Sequence, residues 1–285
     1  MKCLDFREDA MTNQIASQTF ILPFHLAQSR LPNPISAEST WSGVCKITCP
    51  FEKKDRAGHL ARNEAKYGSG FLLEFEGNGR TKSGIITCRH VMFHRNQMAP
   101  RNQVQITFQT LPQAFYLEQI SSDTPPIYDP FLDFYFQELS SQFVHDVKEL
   151  HIRFLKRRLD KPCFEEFYLV HYPEGGERKV SIGKFISQIG NPANHVLYSK
   201  SSTRPGSSGG ALIESDGTDG FVFAMHTAAN SAGTVDHSTL VAYILARMNC
   251  EATGPLGIPA HWCHTAQSLL GNVYSHCIIS VDTFE

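Results

Sequence analysis

Residues 204–212 read Arg-Pro-Gly-Ser-Ser-Gly-Gly-Ala-Leu. At their centre Ser208 stands in a Gly-x-Ser-Gly-Gly pattern. A serine hydroxyl attacks well only when a base takes its proton and donors hold the oxyanion that forms. Glycines let the backbone turn tightly enough for the N–H groups of Gly206 and Ser208 to converge on one point. Ser208 is therefore the candidate nucleophile, and Gly206 with Ser208 the candidate oxyanion hole. The bland alternative is a Gly/Ser surface turn. The nucleophile reading requires a base and an orienting acid elsewhere in the chain.

The base comes from an earlier pair of apolar runs, Gly68-Ser-Gly-Phe-Leu-Leu-Glu-Phe-Glu and Ser83-Gly-Ile-Ile-Thr-Cys-Arg-His-Val. Gly77-Asn-Gly-Arg separates them and is a turn signal, so the two runs read as a hairpin. His90 lies just past the second strand. The chain holds 13 histidines, so context rather than residue type singles this one out. The acid is Asp133, at the head of the β-prone run Asp-Phe-Tyr-Phe-Gln-Glu-Leu, with Asp129 as its rival. The order His90, Asp133, Ser208 is that of the chymotrypsin-type triad.

On these motifs the chain resembles the trypsin-like serine peptidases, and among them the intracellular HtrA-like branch. The segments concerned are Gly68 to Phe71, Thr87 to Val91, Asp133 to Leu139 and Arg204 to Leu212, with Tyr172-Pro-Glu-Gly-Gly and the strand after it in support. The likeness spans roughly residues 41–248. It implies a serine endopeptidase in which His90 is general base, Asp133 holds the imidazole and Ser208 forms an acyl-enzyme, with no cofactor and no metal. It also implies that Ser202, the sixth residue before the nucleophile, lines the primary substrate pocket. His226, at the end of Phe221-Val-Phe-Ala-Met-His, matches a position where glutamyl endopeptidases and viral chymotrypsin-like cysteine proteases carry a histidine that reads Glu or Gln. Three departures stand out. Phe134 and Tyr135 are bulky, Arg89 is large for its place, and Ser207 is uncharged where secreted trypsins carry an acid that binds a freed N-terminus.

The composition is that of an ordinary globular protein. The 285 residues are 41% apolar and 19% charged, with a formal net charge of −2. That charge creates no global field toward nucleic acid or an acidic membrane, and no apolar run reaches spanning length. The start, Met-Lys-Cys-Leu-Asp-Phe-Arg-Glu-Asp, has no apolar signal core. The expectation is an intracellular protein, cytoplasmic or nuclear, whose eight cysteines are reduced. Its partner is a protein or peptide substrate.

Short β-prone runs recur at 69–76, 83–88, 103–109, 114–120, 133–139, 166–172, 179–189, 195–200, 210–214 and 220–226, which places the chain in an all-β class. The resemblance sharpens this to two packed six-stranded-type β-barrels. Residues 1–40 read as an N-terminal extension, 41–248 as the peptidase domain and 249–285 as a C-terminal tail. Charged residues 51–67 read as a surface loop. Apolar residues from Phe143 to Leu159, spaced mostly by three or four, predict a helical insertion between the barrels over 142–159. A second helix is expected over 240–248. In the tail, His261, Cys263, His264, His276 and Cys277 match no tight zinc-ligand spacing.

Two other classes compete with the peptidase. A catalytically silent protease-fold scaffold would bind peptides in the same groove, with Arg89 or the bulky neighbours of Asp133 spoiling the triad. A nucleic-acid adaptor would use the basic run from Arg153 to Lys161, against the net charge.

Overall fold

Alternation first shows in the chain at Val44 to Pro50. Cys45, Ile47 and Cys49 are buried, while Lys46, Thr48 and Pro50 are partly exposed. That period of two makes a strand with one face on a core. The computed structural model describes residues 21–23, 41–54, 60–77, 79–157, 166–185, 196–215, 220–229 and 235–250.

A short strand β1 (Ile21–Pro23) precedes the first β unit. That unit contains β2 (Val44–Lys54), β3 (Leu60–Gly77) and β4 (Arg80–Cys88), then a small hairpin of β5 (Phe93–His94) and β6 (Gln97–Met98). It continues with β7 (Gln105–Phe108), β8 (Ala114–Tyr116), β9 (Ile127–Asp129) and β10 (Phe134–Glu138). Seven of these strands form one sheet in the order β8-β7-β2-β3-β4-β10-β9. The expected hairpin is present, with Gly77 opposite Arg80.

The second unit contains β11 (Lys156–Arg157), β12 (Glu166–His171), β13 (Lys179–Phe185), β14 (Val196–Lys200), β15 (Ala211–Ser215), β16 (Gly220–Ala229) and β17 (Asp236–Leu240). The order β13-β12-β15-β16-β17-β14 returns to β13 through a further β13–β14 pairing, so six strands close into a barrel. Closure removes the open edges of those strands. β1 adds to the outside of β13 with Ile21 opposite Ser181, and β11 adds to β16. The fold is all-β, as the sequence predicts.

Three local expectations change. Residues 51–67 are not a loop. Most of them extend β2 and β3 as a ladder in which Phe51 faces Glu64 and Lys53 faces Arg62, while 55–59 lie outside the described residues. Charged residues hide a strand from an apolar pattern, but backbone pairing does not depend on them. The helix expected over 142–159 is only α3 (Ser141–Glu149), numbered after two one-turn helices, α1 (Arg89–Met92) and α2 (Leu117–Ile120). Ser140 starts α3 by accepting the Phe143 N–H at 3.2 Å, and His151 ends the turn at φ +58°. Beyond it Ile152 and Leu155 are buried by extended chain, and the Leu155 N–H donates to Leu72 O at 2.9 Å. Their spacing imitates a helix because both reach one core from a non-helical path. The run 114–120 divides between β8 and α2. The C-terminal helix is present as α4 (Val241–Cys250).

One apolar core runs through both units, from Trp41, Phe71 and Phe136 to Val170, Ala211 and Met225. A smaller cluster inside the second barrel joins Phe167, Leu169, Leu212 and Phe223. Phe136, 1% exposed, meets Phe75 edge-on at 5.6 Å between ring centres. Phe136→Ala should cost about 3–5 kcal/mol of stability, mostly from the cavity it leaves. Urea denaturation with the slope held as a check would measure this.

Candidate active site

His90 is the second residue of the one-turn helix that follows β4. Asp133 stands just before β10 with φ +50°, a turn conformation in which its short polar side chain folds back on neighbouring backbone. One carboxylate oxygen lies 2.6 Å from His90 Nδ1, and the other accepts the His90 N–H at 3.0 Å. The carbonyl of Asp133 accepts the Arg89 N–H, also at 3.0 Å. Ring and carboxylate remain reachable, with side chains 40% and 28% exposed.

The features that threatened this pair leave the His90–Asp133 contact intact. Phe134 and Tyr135 are buried in the core at 0% and 1% exposure. The Arg89 guanidinium lies 4.4 Å from the ring centre of Phe93 and donates to Asn96 Oδ1, away from the imidazole. Asp129 is committed elsewhere. Its Oδ1 accepts the N–H groups of Phe131 and Leu132, and its Oδ2 pairs with Arg247 at 2.8 Å. The rival acid thus anchors the loop that carries Asp133 to the C-terminal helix.

The loop bearing Ser208 depends on two glycines in left-handed conformation, Gly206 at φ +92° and Gly209 at φ +87°. A Cβ on Gly209 would stand 1.9 Å from Ser69 O, so no side chain fits. The N–H groups of Ser207, Gly209 and Gly210 donate to Arg204 O, His226 O and Ser207 O. Among the described residues no backbone bond from Gly206 N or Ser208 N is formed. The Ser208 hydroxyl donates to Thr227 O at 3.0 Å. The structure therefore joins His90 to Asp133 but shows no bond between His90 and Ser208.

Both halves hang on the same stretch of β3. Lys66 Nζ donates to His90 O, and the Ser69 N–H donates to Ser208 O at 2.7 Å. Burial lowers the Lys66 pKa, and Coulomb attraction from Cys49, Asp133 and Cys88 partly offsets that. Cys88 crosses between the units, its thiol donating to His226 O at 3.2 Å.

His226 is 3% exposed, and among the described residues its Nδ1 has no hydrogen-bond partner. Burial pulls its pKa down to about 4, opposed by Asp236. Ser202 is partly buried, and its carbonyl accepts Ser181 Oγ–H at 2.8 Å. His171 was not singled out by its sequence, although it directly precedes the Tyr172-Pro-Glu-Gly-Gly segment. It is fully buried with Nδ1 2.7 Å from Ser207 Oγ and Nε2 3.0 Å from Ser181 Oγ, and burial pulls its pKa down to about 3.

Cys88, His90 and Asp133 offer ligand atoms within 4.8 Å of one another, a set zinc accepts in principle. Zinc needs a thiolate, however, and burial drives the Cys88 pKa well above its ordinary value. The arrangement favours hydrogen bonding over an ion. Cys45, Cys49 and Cys88 are buried free thiols, and the tail cluster of His and Cys lies outside the described residues.

No protein-family model matches the chain, and no curated protein does. Solved structures do. The active form of the Rv3671c protease from M. tuberculosis is 16% identical, with 78% of this chain and 86% of that one covered at a TM-score of 0.52. The thermostable serine protease AL20 from an extremophilic microorganism is 13% identical, covering 74% and 96% at 0.50. The chain has the fold of a chymotrypsin-like serine protease. At these identities the likeness establishes the fold alone. No helix among the described residues is long and apolar enough to cross a membrane.

Two neutral, buried imidazoles make this protease fold sensitive to acid. Unfolded histidines take a proton below about pH 6.5, whereas His171 and His226 do so in the fold only near 3 and 4. Their contribution is complete above pH 6.5 and is lost as pH falls toward those values. Each adds a slope of up to about 1.4 kcal/mol per pH unit in that window. Urea unfolding at pH 7, 6 and 5 should show falling stability, less steeply in His226→Gln.

Proposed function

We propose that the chain is a serine endopeptidase acting on protein or peptide substrates through His90, Asp133 and Ser208. The observation that carries this is the two-point clasp of Asp133 on His90, at 2.6 Å to Nδ1 and 3.0 Å to the backbone N–H. It presents the other ring nitrogen, Nε2, as the base. In the reaction the Ser208 hydroxyl leaves Thr227 O and gives its proton to Nε2 as Oγ bonds to the scissile carbonyl carbon. The N–H groups of Gly206 and Ser208, which bind no other backbone group among the described residues, receive the oxyanion. His90 then returns the proton to the leaving amine as the C–N bond breaks, and water hydrolyses the acyl-enzyme by the same steps.

The motifs around Phe71, His90, Leu139 and Ser208 support the HtrA-like branch, and the free buried thiols support an intracellular setting. Ser202 and His226 form the primary pocket in this reading. The imidazole of His226 is neutral near pH 7, so it offers a hydrogen bond without a charge. Gln before the scissile bond is therefore preferred over Glu, and Lys or Arg is disfavoured for want of a buried acid partner.

The second reading, a silent scaffold, is favoured by one observation, the bond of Ser208 Oγ to Thr227 O rather than to His90. Fluorophosphonate labelling separates the two. The expected result is covalent labelling that vanishes in Ser208→Ala and slows by at least about 10²-fold in His90→Ala. Asp133→Asn should slow it by about 10⁴-fold, by fixing the wrong tautomer. Labelling unchanged in Ser208→Ala would defeat the assignment.

A peptide-library profile at pH 7 tests the pocket. The expected Gln preference should disappear in His226→Ala. A preference for Lys or Arg in the wild type would remove Ser202 and His226 from the pocket while leaving the triad untouched.

A further inference from the structure

Behind the nucleophile loop runs a line of hydrogen bonds that uses none of the three proposed catalytic side chains. Ser181 Oγ donates to Ser202 O at 2.8 Å. A hydroxyl has a single proton, so toward His171 Nε2, 3.0 Å away, Ser181 can only accept. Nε2 therefore carries the proton of a neutral ring, and Nδ1 presents a lone pair. Ser207 Oγ, 2.7 Å from Nδ1, donates to it. The same oxygen accepts the Arg204 N–H at 2.9 Å. From Arg204 to Ser202 every donor meets an acceptor in one direction. The three side chains in the line are at most 1% exposed.

We propose that His171 is a positioning residue, a neutral imidazole with its proton on Nε2 that holds the nucleophile loop in its working conformation through Ser207. The proposal rests on the peptidase reading of Ser208. Ser207 is the residue before the nucleophile, and all its polar groups are engaged. Its N–H binds Arg204 O, its carbonyl accepts the Gly210 N–H, and its hydroxyl bridges His171 and Arg204. Fixing Ser207 fixes the peptide planes on either side, and with them the directions of the Ser208 N–H and the Gly206 carbonyl.

The position before Ser208 carries no charge, so the loop lacks a buried ion pair there. The imidazole supplies a lock in its place. Because every partner belongs to the second β unit or the loop between β14 and β15, the lock forms on folding. A protonated ring would place an N–H against the Ser207 hydroxyl, forcing it to turn away. Burial keeps that from happening, with the His171 pKa down to about 3 and His226 as the nearby titratable group that lowers it further.

His171 with its two serines does not form a second triad. Neither serine is accessible to a substrate, and both ring nitrogens are committed to hydroxyls rather than to a carboxylate.

The test compares the wild type with His171→Ala, Ser207→Ala and the double variant. Three readouts are needed: fluorophosphonate labelling rate, hydrogen exchange of the peptide spanning 204–212, and nitrogen NMR of the His171 ring. Each single variant should label about tenfold slower or worse, and the double variant no slower than the slower single, because one device is broken either way. Added imidazole should restore part of the His171→Ala rate. Faster exchange should be confined to 204–212, and the wild-type ring should be neutral with its proton on Nε2 down to about pH 5.

Single variants that label at the wild-type rate, losses that multiply in the double, or a proton on Nδ1 would overturn the proposal. If His171→Ala fails to fold, Ser207→Ala carries the same comparison. A wild type that takes no probe would sink the peptidase reading alone. Exchange and NMR would then decide the lock, and unchanged exchange over 204–212 in Ser207→Ala would overturn it.

Discussion

The site depends on one close approach, that of Ser69 in β3 to the nucleophile loop. Ser69 is fully buried, and four of its contacts reach out of its own strand. Its N–H donates to Ser208 O at 2.7 Å, and its hydroxyl donates to Gly206 O at 2.8 Å. That hydroxyl also accepts the Tyr172 N–H, and the Ser69 carbonyl accepts Thr87 Oγ1–H. An unmade hydrogen bond in such a place costs about 1–3 kcal/mol, so the three contacts that reach Ser208, Gly206 and Tyr172 act as a fixed joint between the two β units. The joint also explains the glycine after the nucleophile. Gly209 passes so close to Ser69 O that any Cβ would break the approach.

That joint accounts for which parts of the site were legible in the amino-acid sequence. Residues on tight turns and close approaches leave short signatures, because few residue types satisfy them. Gly206, Ser208 and Gly209 belong to one such turn, Ser69 to another motif, and His90 follows a strand whose last residues are all buried. The pairing of Asp133 with His90 was legible too, but the choice over Asp129 was not. It rests on Arg247, far along the chain, which pairs with Asp129 and removes it from contention. Composition around either aspartate says nothing of that ion pair. The buried network at His171 was invisible for the same reason, since its partners Ser181 and Ser207 are common residues brought together only by barrel closure. At the level of fold, the failures were local. Charged strands 44–54 and 60–77 carry little apolar alternation beyond the core, and residues 150–155 bury apolar groups without a helix.

The molecule uses one side-chain type in three settings. His90 is partly exposed, with a carboxylate against one ring nitrogen. His171 is sealed among hydroxyls with every hydrogen-bonding position filled, where a proton would be a defect. His226 is sealed as well, yet its Nδ1 is unsatisfied among the described residues. A buried polar atom left without a partner is costly, and such atoms persist where something else answers them. Solvation and partner, rather than residue type, divide these histidines into the roles proposed for them: base, strut and reader.

The resting bond of Ser208 to Thr227 O bears on the choice between an enzyme and a silent scaffold. A hydroxyl turns about one bond, and exchanging a carbonyl acceptor for an imidazole trades one hydrogen bond for another of about the same net strength, about 1 kcal/mol. That trade is small beside the cost of moving backbone. The backbone around these residues is held by several bonds: Asp133 grips His90 at two points, the Gly206 and Ser208 N–H groups form no competing backbone bond among the described residues, and β3 ties both loops. A scaffold that had abandoned chemistry would have no need to keep the clasp, the left-handed glycines and the joint at Ser69 together. Each constrains the chain, and in the proposed peptidase they serve one base, one nucleophile and two oxyanion donors.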